Sequence, residues 1–305
     1  MYTLPQSLRI GVLRGGQSPE YDLSLKNGAD VLRHLNETHK PVDIFIDKDG
    51  KWYVGGLARP PEKILQNIDV VWNSLNGNYG ENNQTHELLD SHKIRYTGSD
   101  RYNSTLANNR LVVRGKALDV GLKVAVYKVV KSGDPLEEKA KEIFNTMPHP
   151  MVIKPILGRM NQYPIAESFS ELISGLGSVL SSHLGALVEE YIEGKNVFCI
   201  VTENFRNKNL YAFPPVSNRS ISKAETEKVE DYAKRIHRAL NLCHFSEPFF
   251  IVTPRRGIYF SEINIMPQIK ETGTLKKSLE LVGSSIKEFI HHLLDLAIHK
   301  SGLWV

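Results

Sequence analysis

The first hundred residues alternate between strand-like and helix-like segments, and this order restricts the fold more than any other feature of the chain. The apolar run Ile10–Leu13 is closed by Gly15 and Gly16, as in a strand that ends at a turn. A helical stretch follows, with apolar residues at spacings of three and four from Leu25 to Leu35. Further strand-like runs lie at 42–46, 69–72 and 93–97. Residues 1–100 are therefore predicted to form an α/β domain with a parallel sheet covered by helices.

The other two thirds of the chain mix strands and helices differently. Helices are predicted at 103–120, 135–144 and 169–180, and strands at 124–130, 151–155 and 186–192. These segments predict a central α+β lobe of residues 101–193. A final lobe of residues 194–305 has strands, a long helix with Val229 and Leu240 on its apolar stripe, a hairpin and a closing helix. Because no long Pro/Gly/Ser linker separates these parts, the lobes are expected to pack together.

Composition excludes several classes of protein. The 305 residues are 41% hydrophobic and 24% charged, and no apolar run approaches the roughly 18 residues of a membrane span. The net charge of +4 comes from well-mixed basic and acidic residues, which argues against a nucleic-acid partner. Two cysteines, Cys199 and Cys243, are too few for a disulfide framework or a cysteine metal cage. With no secretory signal visible at the start, a cytoplasmic location is predicted.

Two glycine-containing segments of the first domain are candidates for ligand binding. In Arg14–Ser24, paired glycines follow a strand and Ser18, Asp22 or Ser24 could cap the next helix, whose N-terminus favours an anion. A plain capped turn explains this segment equally well. The loop Asn76–Asn83 follows a strand at the edge where open α/β sheets bind ligands, although its composition also suits an ordinary surface turn.

Three segments of the central lobe could contact a nucleotide. Lys154 lies in an apolar strand, where a buried ammonium is costly unless it meets an anion; a lysine that extends to the surface is the equal alternative. The loop Gly158–Gln162 could lie over phosphates. The strand Leu187–Gly194 could present backbone groups and a carboxylate to an adenine edge, or could simply end in solvated acids.

The hairpin of residues 247–264 is the most informative segment. Its turn, Pro254–Gly257, predicts a four-residue loop that pairs Thr253 with Ile258 and places Phe249 opposite Glu262. Alternation puts Glu262 and Asn264 on one face of the strand. Two side-chain oxygens aimed together are a plausible Mg²⁺ site, and a solvated strand face is the alternative.

Taken in order, these segments resemble the D-alanine–D-alanine ligase family of the ATP-grasp superfamily. The resemblance covers nearly the whole chain and is strongest at 10–30, 73–124, 188–194 and 262–267. It implies an N-terminal α/β domain followed by two α+β lobes that hold ATP between them. It further implies that ATP and Mg²⁺ phosphorylate a D-alanine carboxylate, that the amine of a second D-alanine attacks the acylphosphate, and that the protein is a homodimer.

The resemblance also implies roles for individual residues. Glu20 matches the acid that binds the ammonium of the first substrate, and Ser24 lies close to it. The implied nucleotide contacts are Arg110 and Lys154 at the phosphates, Glu189 and the backbone near Ile192 at the adenine, and Asn196 where a ribose-binding glutamate is usual. Glu262 and Asn264 match two of three Mg²⁺ ligands.

The chain departs from the family pattern mainly at this implied site. Arg110 replaces a lysine, Asn76 a histidine, and Gly158-Arg159-Met160 a Gly-Ser-Ser loop. Phe249 occupies the position of the third metal ligand, an aspartate, and Glu247 that of an arginine that stabilises the tetrahedral intermediate. Gln268 replaces a glycine, and the segment Pro214–Lys223 is too short for the usual closing loop.

Glu20, Ser24, Arg159 and Glu247 are the candidate catalytic residues. Three functions remain open: a D-alanine–D-alanine ligase with a remodelled site, a ligase of the same reaction type with other substrates, and an inactive relative that binds nucleotide or a partner protein. Losing a cation that stabilises an oxyanion costs about a hundred- to a thousandfold in rate, which makes efficient D-alanyl-D-alanine synthesis by the usual route hard to defend.

Overall fold

A computed structural model of the protein describes residues 4–5, 8–37, 39–75, 84–158, 160, 162–266, 268–270 and 272–299. Within these ranges the strands form three sheets of six, four and seven strands. The sheets pack against helices over four apolar clusters, one of which is shared by the six-stranded and the seven-stranded sheets. None of the helices in the described ranges combines the length and apolar character that a membrane crossing requires.

The first sheet is mostly parallel, as the sequence predicted. Its elements are β1 (Ile10–Gly15), α1 (Tyr21–Asn36), β2 (Val42–Ile46), β3 (Trp52–Val54), β4 (Leu57–Ala58), α2 (Pro61–Leu65), β5 (Val70–Asn73), α3 (Gln84–Ser91) and β6 (Arg95–Tyr96). The strand order is β4-β3-β2-β1-β5-β6, with β2, β1, β5 and β6 parallel and β3 and β4 antiparallel at one edge. Gly15 ends β1 at φ +93°, where a Cβ atom would lie 2.1 Å from the carbonyl oxygen of Ile46. Only glycine fits there.

The four-stranded sheet is antiparallel throughout. The segment leading into and through it consists of α4 (Arg101–Asn108), α5 (Arg110–Asp119), β7 (Lys123–Val124), β8 (Tyr127–Lys131), α6 (Leu136–Thr146), β9 (Met151–Pro155), β10 (Ile165–Ala166), α7 (Phe169–Leu180) and β11 (Gly185–Glu190). The sheet order is β10-β9-β11-β8. The helices α6 and α7 cover it with an apolar core that includes Ile143, Ile153 and Leu176.

The helix predicted at 103–120 is two helices, α4 and α5, separated at Asn109. This residue has extended backbone (φ −94°, ψ 107°), and its side-chain oxygen accepts hydrogen bonds from the amides of Leu111 and Val112. An asparagine that satisfies the first amides of a helix competes with helical continuation through its own position. As a result Arg110 opens α5, and Arg114 lies one turn further along the same helix.

The seven-stranded sheet and its helices complete the described chain. They are β12 (Lys195–Phe198), β13 (Val201–Phe205), β14 (Lys208–Ala212), β15 (Val216–Ser217), α8 (Lys223–Ala239), β16 (Phe245–Thr253), β17 (Gly257–Asn264), α9 (Thr274–Glu280) and α10 (Ile286–His299). The order β14-β13-β16-β12-β15 is extended by β17, which pairs with β16 and, in parallel, with β7. The strand predicted at 124–130 is thus divided, because β7 joins this sheet and β8 the four-stranded sheet.

Elements distant in sequence share cores. The closing helix α10 packs on α1, β5 and β6, so that Phe289 and Leu293 lie in one apolar cluster with Ile10 and Val12. Residues of α5, such as Val113 and Ala117, belong to the core of the seven-stranded sheet rather than to that of the four-stranded sheet. The division of the chain at residues 100 and 193 therefore remains a prediction.

Candidate active site

A cavity of about 210 Å³ lies between the four-stranded and the seven-stranded sheets. Strands β9 and β11 supply one wall, and β12, β16 and β17 supply the other. Four predicted nucleotide-binding residues line it: Lys154, Glu189, Ile192 and Asn196. The structure thus brings together in one cleft residues that lie up to 42 positions apart in the chain.

A buried cluster of charges forms one side of this cavity. Lys154 on β9 lies 2.9 Å, ammonium nitrogen to carboxylate oxygen, from Glu189 on the neighbouring strand β11. Arg114 of α5 forms a second ion pair with the same carboxylate. All three side chains are buried, and Glu189 is only 2% exposed. One carboxylate between two cations leaves a net positive charge in a place with little water, which favours an anionic ligand.

Burial changes the pKa values of both cations. It lowers the pKa of Lys154 from 10.5 to about 7; the guanidinium groups of Arg114 and Arg110 act in the same direction, and Glu262 opposes them. Burial also lowers the pKa of Arg114 to about 10, so this group remains charged at neutral pH. Lys154 is therefore close to half-protonated near pH 7, and an arriving anion would favour its charged form.

Arg110, the first residue of α5, connects the two walls of the cleft. Its guanidinium donates to the carbonyl oxygens of Pro155 and Gly158, at 2.8 and 2.5 Å, and to the hydroxyl of Tyr163 at 2.5 Å. It also lies 3.5 Å from a carboxylate oxygen of Glu262 on β17. The Arg110 guanidinium therefore holds the end of β9 and the following turn close to Glu262.

The hairpin β16–β17 contains a β-bulge that the sequence did not reveal. Thr253 pairs with Gly257, so the predicted pairing of Thr253 with Ile258 is wrong, and the loop has three residues. The register then shifts between Phe249 and Phe250. Because Ser261 is the extra residue on β17, Phe249 still lies opposite Glu262, which confirms the second predicted pairing.

The bulge decides where the polar residues of β17 point. Ile258 and Phe260 lie in the core of the seven-stranded sheet, and uninterrupted alternation would turn Glu262 toward the same core. One extra residue reverses the alternation, so that Ile263 enters the core and Glu262 and Asn264 face outward together. Arg114 donates a hydrogen bond to the Ser261 carbonyl oxygen at 3.3 Å, and so contacts the bulge as well as Glu189.

Glu262 and Asn264 line a second cavity, of about 440 Å³, which we term the acceptor cavity. It is bounded by Phe198, Glu247, Phe249, Glu262, Ile263, Asn264, Gln268, Lys270, Thr272, Gly273 and Thr274. Phe249 lines both cavities, so the two adjoin at this ring. In the described part of the chain there is no cluster of three or more His, Cys, Asp or Glu residues suited to a metal ion.

The remaining predicted catalytic residues are placed differently. Glu20 precedes α1, and the hydroxyl of Ser24 accepts a hydrogen bond from the amide of Gly15 at 2.9 Å. Neither residue is among those that line the two cavities. Arg159 lies outside the described residues, as does Asn76. The catalytic roles of Glu20, Ser24 and Arg159 stay predictions.

Sequence reasoning missed Arg114, Lys270 and Thr274. Arg114 follows Arg110 at the i+4 spacing of one helix face, which was an available signal that the two guanidinium groups lie together. Thr274 begins α9, and its hydroxyl contacts Glu247 across 27 positions of sequence. No local pattern predicts a contact of that kind.

The sequence of this chain is similar to sequences of D-alanine–D-alanine ligases. A family model described as D-ala D-ala ligase C-terminus matches residues 215–295. The D-alanine–D-alanine ligase of Natranaerobius thermophilus is 26% identical in an alignment that covers 96% of this chain and 95% of that protein. The D-alanine–D-alanine ligase of Aquifex aeolicus is 27% identical, over 93% of this chain and 98% of its own length.

Solved structures show the same fold. The D-alanine–D-alanine ligase from Coxiella burnetii superposes with a TM-score of 0.84 at 20% identity, over 96% of this chain and 94% of its own. The VanG D-Ala:D-Ser ligase from Enterococcus faecalis superposes with a TM-score of 0.82 at 20% identity, over 96% of this chain and 100% of its own. The D-alanine–D-alanine ligase from Bacillus anthracis complexed with ATP superposes with a TM-score of 0.78 at 21% identity, over 96% of this chain and 97% of its own.

The three sheets, with a cleft between the second and third, form the ATP-grasp fold of these solved ligases. Across nearly its whole length, the chain is similar in sequence to D-alanine–D-alanine ligases, at 26% and 27% identity to the two relatives above. The acceptor cavity contains Glu247, Phe249 and Gln268, three of the positions at which the sequence analysis found a departure from the family pattern.

Proposed function

We propose that this protein is an ATP-dependent ligase that joins a carboxylate to an amine through an acylphosphate. The observation that carries the proposal is that Lys154 lines one of two adjoining cavities and Glu262 and Asn264 line the other, with the guanidinium of Arg110 3.5 Å from Glu262. The names and sequences of the relatives support the same reaction. D-Alanine is the nominal substrate and a peptidoglycan precursor the nominal product.

The nucleotide is assigned to the 210 Å³ cavity. There the end of β11 near Ile192 would offer backbone groups to the adenine, and Asn196 would lie near the ribose. Lys154 and Arg110 would neutralise the phosphates. Phosphoryl transfer needs little from a protein beyond such positioning and charge neutralisation, which these buried cations can supply.

Mg²⁺ is assigned to Glu262 and Asn264. The Glu262 carboxylate supplies a hard oxygen, and the Asn264 side chain, whose oxygen accepts from the amide of Met266 at 3.2 Å, supplies another. Two protein oxygens fit Mg²⁺, which commonly binds one or two side chains and completes its shell with phosphate and water. Bound there, the ion would supply further neutralisation of phosphate charge.

In the proposed reaction a substrate carboxylate oxygen attacks the terminal phosphorus of ATP, and ADP leaves. An amine nitrogen of the acceptor then attacks the acyl carbon, the bond from carbon to the phosphate oxygen breaks, and the nitrogen loses a proton to solvent. Glu20 is proposed to hold the ammonium of the first substrate. A cytoplasmic homodimer is proposed from the family resemblance.

Titration calorimetry and thermal shift with ATP and Mg²⁺, with and without D-alanine, test this function. Saturating ATP is expected to raise the melting temperature, because the ligand binds only the folded state. Lys154→Ala and Glu262→Ala are each expected to weaken ATP binding severely. Lys228→Ala and Glu227→Ala, at exposed positions of α8, are matched controls that should bind ATP normally.

The outcomes separate the three functions. Phosphate release that depends on D-alanine supports the ligase proposal in its nominal form, whereas release only with other amino acids or hydroxy acids supports the same reaction on other substrates. Failure to bind ATP at all would make the protein an inactive relative. ATP binding that survives both Lys154→Ala and Glu262→Ala would refute the site assignment.

The lowered pKa of Lys154 predicts proton uptake when ATP binds at pH 8. The free protein has largely lost this proton above pH 7, and the phosphates restore it by stabilising the ammonium. The affinity for ATP should accordingly fall as pH rises through about 7. Calorimetry in buffers of different ionisation enthalpy measures the uptake directly. Lys154→Arg stays charged and should therefore bind ATP without proton uptake. Equal proton uptake in this variant would show that another group takes up the proton.

A further inference from the structure

The acceptor cavity differs in charge from a site built for a small neutral side chain. Its described lining contains two carboxylates, of Glu247 and Glu262, and one ammonium, of Lys270. Glu262 lies 3.5 Å from the guanidinium of Arg110 and belongs to the nucleotide side of the cleft. Glu247 lies on the neighbouring strand β16, opposite Asn264.

The Glu247 carboxylate is held in a defined orientation. One oxygen accepts from the Thr274 hydroxyl at 2.5 Å, and the other accepts from the side-chain amide nitrogen of Asn264 at 3.4 Å. The Asn264 amide cannot be turned round without loss, because its oxygen accepts from the Met266 amide. Two donors from β17 and α9 thus hold a carboxylate at the wall of the cavity. A carboxylate in such a position is complementary to a positively charged ligand group.

The wall next to Glu247 is aromatic. The rings of Phe198 and Phe249 stack with centroids 4.7 Å apart and planes at 24°, and both rings line the cavity. Aromatic faces attract ammonium and guanidinium groups, most strongly where water is displaced. The combination of a fixed carboxylate with aromatic rings is suited to an organic cation on an aliphatic stem.

Lys270 provides the opposite charge in the same cavity. Its ammonium donates to the side-chain oxygen of Gln268 at 3.0 Å, and both residues line the cavity. An ammonium in this place complements a carboxylate of the ligand. The cavity walls therefore match a ligand that carries a carboxylate and a cationic group.

We propose that the acceptor substrate of this ligase is a diamino acid, with its second amino group bound between Glu247 and the Phe249 ring and its carboxylate facing Lys270. This inference rests on the proposed ligase function and specifies its acceptor. The cation at Glu247 is a second amine rather than the nucleophile, because a carboxylate partner stabilises the protonated form, which cannot attack. The nucleophilic amine forms the amide bond as above, and the second ammonium keeps its charge throughout.

Steady-state phosphate release with a panel of acceptors tests this specificity. The panel comprises D-alanine, D-2,3-diaminopropionate, D-ornithine, D-lysine and their L-enantiomers, with D-alanine as first substrate throughout. We expect kcat/KM to favour at least one diamino acid over D-alanine by about ten- to a hundredfold, the range for a hydrogen bond to a charged group. Glu247→Gln, which keeps the shape and the acceptor for Thr274, should reduce this ratio to near one. Glu227→Gln on the exposed face of α8 is the matched control and should preserve it.

The results distinguish this inference from the proposed function. D-Alanine-dependent turnover with no preference for diamino acids, or a preference that Glu247→Gln leaves unchanged, overturns the inference while the ligase function stands. If ATP binds without turnover, the inference is tested by binding instead. The same acceptors are titrated by calorimetry into the complex of the protein with a non-hydrolysable ATP analogue. Diamino-acid binding weakened by Glu247→Gln supports the inference, and absent or unchanged binding overturns it.

Discussion

Replacing Arg114 by methionine is expected to lower the free energy of unfolding by about 3–5 kcal/mol, the usual cost of removing one partner from a buried ion pair. Methionine retains an apolar stem of similar length, so the loss is mainly electrostatic. The carboxylate of Glu189 would remain buried with one cationic partner, Lys154, in place of two. The carbonyl oxygen of Ser261 would also lose its hydrogen bond from Arg114.

Urea denaturation followed by far-UV circular dichroism measures this change. Arg235→Met on α8 is the matched control, because Arg235 is about half exposed and contacts Asp231 and the ring of Tyr232 on its own helix. An exposed pair of this kind contributes little, so the control should change stability by less than about 1 kcal/mol. A loss below about 1 kcal/mol for Arg114→Met as well would show that Glu189 does not depend on this guanidinium.

The double substitution Glu247→Arg with Phe249→Asp is expected to raise D-alanine-dependent phosphate release by about a hundredfold or more. These changes restore the arginine and the aspartate that the family resemblance implies at the two positions. A cation that stabilises an oxyanion contributes about a hundred- to a thousandfold in rate, and Glu247 instead places like charge near the developing oxyanion. The same variant should show no preference for diamino acids, because the Glu247 carboxylate proposed to bind their second amino group has been replaced by a cation.

The two single variants and the double variant should be compared by initial rates at saturating ATP, with ATP binding and melting temperature measured for each. Phe249→Asp removes the ring pair with Phe198, so some loss of stability is expected, on the order of 1 kcal/mol beyond lost burial. A double variant that is folded and binds ATP but shows no gain with D-alanine would mean that these positions do not limit the reaction.

Much of the fold could be read from the sequence because local patterns specify it. The apolar runs of β1, β2 and β5 predicted a parallel sheet, and the isolated lysine in an apolar strand left two alternatives for Lys154, an anionic partner or an extension to the surface. The structure confirms the sheet and shows that the partner within the protein is Glu189. Alternation along β17 also placed Glu262 and Asn264 together, as the acceptor cavity bears out.

The family resemblance added what local patterns alone did not contain. It indicated the three-part architecture, and the comparisons support that fold over 96% of the chain. It also drew attention to Glu247 and Phe249 as departures, although it gave no account of what surrounds them. Their neighbours Thr274 and Phe198 come from a separate helix and a separate strand.

The sequence by itself determined the elements whose formation depends on near neighbours. These are helices with an apolar stripe, strands with an apolar run, and the hairpin turn at 254–256, whose predicted length was one residue too long. Only the tertiary structure decided the break at Asn109, the bulge at Ser261 and the shared carboxylate of Glu189. Arg114 contacts Ser261 across 147 positions of sequence, and such contacts depend on the burial of charge and on the packing of whole sheets. Their energies arise only when distant segments exclude water together, and a local pattern carries no record of that.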